Sequence, residues 1–99
     1  MSAGERTILL LDPTEDPQVV AVSAAPRLAR LAGARLAIVD NGKFRASVLL
    51  AALAAELERR HGARLALTIR KPAAGRPLTP ADLDHLARAA DAVLNGVGD

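Results

Sequence analysis

Between Arg35 and Leu94 the apolar residues switch back and forth between two spacings, and few architectures accommodate such a switch. Leu36-Ala-Ile-Val39 is a short continuous apolar run, the pattern of a strand buried on both faces. Val48, Leu49, Leu53 and Leu57, with Leu50 and Ala54 widening the stripe, then recur at helical spacing. Glu56, Glu58, Arg59 and Arg60 supply the wet face of this helix. His61-Gly62 ends it, with cations suited to a helix C-terminus and glycine to a left-handed cap. Leu65-Ala-Leu-Thr-Ile69 returns to a strand pattern.

A loop punctuated by proline and glycine, Lys71 to Pro77, leads to Thr79-Pro80-Ala81-Asp82. That order is a helix start: a hydroxyl at the cap, proline at the first helical position and an acid in the first turn. Leu83, Leu86, Ala87 and Ala90 form its expected buried stripe, and Asp91 closes it. Ala92-Val-Leu94 opens a third strand that runs into Asn95-Gly-Val-Gly-Asp99.

Strand, helix, strand, helix, strand predicts an α/β fold: a three-layer, Rossmann-like parallel sheet wound by right-handed crossovers, in the spatial order 2-1-3. The sheet is expected to be incomplete at its C-terminal edge, because the third strand presents an apolar, unpaired side. Asn41-Gly42 between apolar runs is ordinarily a hairpin signal. The helical period downstream rules that out and makes Asp40 to Lys43 a strand-to-helix turn. Residues 1–33 are read as a lead-in segment and 34–99 as the N-terminal part of an α/β domain. Within the lead-in, Ile8 to Leu11 is a candidate short strand, ended by Asp12-Pro13. Leu28, Leu31 and Ala32 are a candidate helical turn stopped by Gly33.

Composition narrows the function classes. There is no cysteine, so these residues offer no disulfide, thiolate metal ligand or thiol nucleophile. One Phe is the only aromatic, and the net charge of +2 is made of interspersed acids and bases. Nucleic acid is therefore not an expected partner. The apolar stretch Ala46 to Ala55 is far short of the roughly 20 residues of a membrane span. No membrane association is expected, and a soluble, cytoplasmic protein is.

Ligands of open α/β sheets sit outside the carboxyl ends of the strands, at the switch point. Two segments end there. Asp40, Asn41, Gly42 and Lys43 lead into a helix N-terminus and could hold a small anion. Asn95, Gly96, Gly98 and Asp99 follow the third strand, where a lone Gly-x-Gly is insufficient for a dinucleotide site, so no cofactor is expected. Arg70, Lys71 and Arg76 could clamp an acidic ligand or form a solvated loop. His85 stands near Asp82 and Asp84, which a helix points to different faces, so no metal site is expected. No catalytic constellation is present.

Three segments nevertheless resemble a known family. Leu31-Ala-Gly-Ala-Arg-Leu-Ala-Ile-Val-Asp-Asn-Gly-Lys43, Lys71-Pro-Ala-Ala-Gly-Arg-Pro77 and Ala90-Asp-Ala-Val-Leu-Asn-Gly-Val-Gly-Asp99 are similar to motifs of the UGSC-type (seleno)protein domain. The similarity spans about residues 26–99, with Asp12-Pro13-Thr14 a further match, and departs where Phe44 and Arg45 replace the more usual Pro and Asn. In that family Gly-Val-Gly-Asp is followed at once by selenocysteine or cysteine, then Gly-Ser-Cys. The resemblance implies a thiol/selenol redox domain whose reactive residue is encoded after Asp99, beyond a UGA codon, so that these residues alone are truncated before their chemistry and inactive. It also implies that Lys43 lowers the pKa of the reactive group, with Asn95, Gly96 and Gly98 shaping the backbone approach. The competing expectation is a small anion-binding or protein-interaction module that forms a homo-oligomer through its open sheet edge.

Overall fold

The computed structural model describes residues 6–14 and 21–98. Five elements follow along the chain: β1 (Arg35–Asp40), α1 (Ala46–His61), β2 (Arg64–Arg70), α2 (Pro80–Ala89) and β3 (Ala92–Gly96). The strands form one parallel sheet in the order β2-β1-β3, the predicted topology. Ile38 lies opposite Thr68 on one side and Leu94 on the other. A single register shift interrupts the β1–β2 pairing between Leu36 and Ala37.

β1 is the central strand, and it alone has its apolar side chains buried on both faces. Leu36, Ala37, Ile38 and Val39 are all buried. Alternation along the strand sends Ile38 one way and Ala37 and Val39 the other. Ile38 packs with Leu50 and Ala54 of α1 and with Leu94. Ala37 and Val39 pack with Leu86 of α2, bounded by Leu67, Ile69, Leu78 and Ala90. The two helices therefore cover opposite faces of the sheet.

The buried stripe of α1 differs from the sequence expectation. Ala46, Leu50 and Ala54 face the sheet, while Val48, Leu49 and Leu53 remain 59, 50 and 46% exposed. The small side chains decide this: with alanines one turn either side of Leu50, the helix backbone can lie close to the sheet. Leu50 then reaches β3, where a Cβ added to Gly96 would stand 3.3 Å from its Cδ2. On α2 only Leu86 is fully buried, while Leu83 and Ala87 are exposed.

The helix ends match their sequence signals. The Thr79 hydroxyl oxygen accepts a hydrogen bond from the Asp82 N–H at 3.1 Å, with Pro80 opening α2. Gly62, at φ 72°, caps α1 and donates its N–H to the Glu58 carbonyl.

The lead-in differs from expectation. Ile8 to Leu11 forms no strand and is 81–90% exposed, because a strand needs a ladder partner and none is supplied among the described residues. Leu28 to Ala32 forms no helix. The chain instead turns at Leu31–Ala34, where the Ala34 N–H donates to the Leu31 carbonyl and the Gly33 N–H to Gly62. No helix among the described residues is long and apolar enough to cross a membrane.

Beyond these elements, a latch joins the start of β1 to the turn before β3. The Asp91 carboxylate accepts from the Arg35 backbone N–H at 2.8 Å and from its guanidinium at 3.0 Å. The Asp91 N–H in turn donates to the Arg35 carbonyl at 2.7 Å, and the guanidinium also reaches the Arg88 carbonyl.

Candidate functional site

At the carboxyl ends of the strands three segments meet. Asp40, the last residue of β1, is 3% exposed. Its buried carboxylate is satisfied locally, accepting from the Gly42 N–H at 2.8 Å. Its carbonyl accepts from the Lys71 N–H just after β2, also at 2.8 Å.

Asn41 binds the other side. Its backbone N–H donates to the Gly96 carbonyl at 3.0 Å, and its Nδ2 donates to the Val97 carbonyl at 2.6 Å. Its Oδ1 accepts from the Lys43 N–H at 3.3 Å. One asparagine thus ties the turn after β1 to the turn after β3 while shaping its own loop. Gly42 takes φ 78°, and a Cβ there would lie 3.5 Å from the Lys71 carbonyl oxygen. The turn closes with the Ala46 N–H on the Lys43 carbonyl. Arg45 stands at the helix N-cap in the left-handed region, at φ 61°. No side chain caps this end of α1, and its first turn carries no acid.

Five of the predicted residues, Asp40, Asn41, Gly42, Lys43 and Gly96, are therefore neighbours. Asn95 is not on their side: it pairs in register with Val39, so its side chain leaves β3 on the α2 face, opposite the Leu50 that Gly96 approaches. Gly98 lies in open space beyond the Gly96–Val97 peptide, which is cis. Asp99 lies outside the described residues.

Of the cationic set, Lys71 turns inward on its own loop, its Nζ donating to the Ala74 carbonyl at 2.9 Å. Arg70 and Arg76 are exposed and make no ion pair among the described residues. His61 and His85 are exposed, and no group of His, Cys, Asp or Glu among the described residues is arranged to hold a metal ion.

Resolved pKa shifts lie away from this end. Hydrogen bonds from the Arg35 side chain, then from its backbone N–H, hold the Asp91 carboxyl below its ordinary value, and the same partner raises Arg35. Asp12 is likewise lowered, by the hydroxyl and then the N–H of Thr14.

Two partnerships escaped the sequence. The Val97 carbonyl that Asn41 grips is a backbone group 56 residues away, and no side-chain pattern signals it. Arg35 and Asp91 are equally remote along the chain. Chemically the site offers a hydrogen-bonded rim of backbone groups with cationic side chains on the adjoining segments, and no thiol.

Comparison with known proteins gives one positive result: residues 9–99 match the family model of the UGSC family. No curated protein and no solved structure matches the chain.

Proposed function

The chain belongs to the UGSC family, and from that membership we propose that it is the scaffold of a thiol- or selenol-based redox site whose reactive atom is carried by residues encoded after Asp99. The observation that supports this reading best is the double hydrogen bond of Asn41 to Gly96 and Val97. It holds the glycine-rich turn after β3 against the turn that carries Lys43. A chalcogen on the residue that follows Asp99 would stand near the strand ends, where backbone donors and a nearby cation would favour its anionic form.

These residues contain no cysteine, so on this reading they carry no thiol chemistry of their own. The complete site would perform thiol–disulfide exchange or bind a soft metal or organometal group. Such a group persists in a reducing compartment, which makes the cytoplasm its proposed place. The test is the gene itself. An in-frame UGA or cysteine codon directly after Asp99, followed by codons for Gly-Ser-Cys, is the predicted result, and their absence overturns the proposal.

A second reading, self-association through a sheet edge, is favoured by a contrast between the two edge strands. β2 is guarded by Arg64 and Arg70 at its ends, whereas β3 carries no charged residue. Sedimentation over a range of concentrations separates the two. A stable dimer that dissociates on Val93→Lys supports the module, and a monomer at all concentrations removes it.

A further inference from the structure

The chain's sole aromatic residue stands in the open beside the site. Phe44 is 90% exposed, two residues beyond Gly42. The Arg45 guanidinium lies 5.6 Å from the centre of its ring, within cation–π range. Gly42 in turn abuts Lys71, and Arg70, the last residue of β2, lies in register with Asp40. Arg76 stands further along the loop that begins at this contact.

Charge at this end is arranged differently from the opposite end of the sheet. There Arg35 pairs with Asp91, and Arg59 and Arg60 both pair with Glu56. Here Arg45, Arg70 and Arg76 have no carboxylate partner among the described residues. Of the acids at this end among the described residues, Asp40 is buried and bonded to Gly42, and Asp82 and Asp84 belong to the first turns of α2.

We propose that this surface selects the substrate of the site, and that the substrate class is a small organic carboxylate bearing an aromatic or flat apolar body. Guanidinium groups match a carboxylate in planar, two-pronged fashion, and the Phe44 ring offers a face for the body to lie on. One ring supplies one stacking platform, which suits a small molecule rather than the successive bases of a nucleic acid strand. The inference rests on the proposed function for the position of the reacting atom and adds what that atom would act upon.

Binding can be read without the reactive atom, so the two claims fail separately. The 99-residue chain, labelled with ¹⁵N, is titrated with phenylacetate, acetate, benzylamine and inorganic phosphate while backbone amides are followed by NMR. Phenylacetate is expected to shift the amides of Phe44 to Ser47 and Arg70 to Arg76 saturably. It should bind roughly three- to tenfold tighter than acetate, the increment of one aromatic contact. Phe44→Ala should erase that difference and leave acetate unchanged, whereas Arg70→Ala with Arg76→Ala should weaken both carboxylates together. All three side chains are exposed, and each variant is compared only where its amide spectrum keeps the dispersion of the parent's. Binding of benzylamine as tight as phenylacetate, phosphate as tight as phenylacetate, or no saturable shift at all overturns the proposal.

Discussion

Asn41 serves two roles that a simpler side chain would separate. Its amide nitrogen bridges to Val97 and its amide oxygen shapes the turn to Lys43. Asn41→Ala deletes both bonds and leaves the Val97 carbonyl without this donor. It should lower stability by about 1–2 kcal/mol, read from urea unfolding. Asn41→Asp should cost at least as much, because it turns an acceptor toward an acceptor. Gly42→Ala tests the turn by another route. The position has room for a methyl group, 3.5 Å from the Lys71 carbonyl oxygen, so the cost is conformational. A residue with a Cβ at φ 78° loses about 1 kcal/mol, and thermal melting should show a correspondingly lower midpoint. At this scale the turn was legible and its partner was not. Asn-Gly followed by helical spacing identifies a strand-to-helix turn from local residues alone. The grip on Val97 joins a side chain to a distant carbonyl, and every residue type has a carbonyl.

Helix α1 shows what a hydrophobic stripe leaves undecided. Leucines at 49, 50, 53 and 57 fill an arc wide enough to be seated in more than one way, and the alanines at 46 and 54 settle which seat is taken. Alanine contributes little to an apolar pattern, yet its small volume permits the close approach. Leu50→Ala should therefore cost about 2–4 kcal/mol, while Val48→Ala stays within about 0.5 kcal/mol, both from urea unfolding. Equal effects would restore the stripe that the sequence suggests. At α2 the cap was plain in the sequence, and Thr79→Ala should cost about 1 kcal/mol. The Arg35–Asp91 latch gives an acid signature. The Asp91 carboxyl titrates lower in the folded chain than in the unfolded one. Its contribution is therefore complete above the unfolded value of about 4 and is lost as pH falls through the lower folded value. Asp91→Asn should flatten that acid limb when the urea midpoint is followed downward from about pH 5. An unchanged limb would assign acid sensitivity elsewhere.

For the whole molecule, the order β2-β1-β3 could be read in advance because right-handed crossovers leave little choice once the strands are known to be parallel. The central place of β1 was equally legible in its unbroken apolar run. The lead-in was not, since Ile8 to Leu11 has strand-like composition and no local feature says whether a partner strand is at hand. The candidate site falls between these cases. Its location follows from topology, whereas its coherence depends on Asn41 joining two strand ends, with Asn95 turned to the other face. In the proposed function this rim serves to ionise a chalcogen supplied by the residues after Asp99. The most direct measurement is the pH dependence of alkylation by iodoacetamide in the chain extended by its own following codons, with cysteine placed at an in-frame UGA. The expected result is a thiol that ionises well below the value of about 8.5 for free cysteine and whose ionisation moves upward on Lys43→Met. A thiol titrating at the free value and indifferent to Lys43 contradicts it.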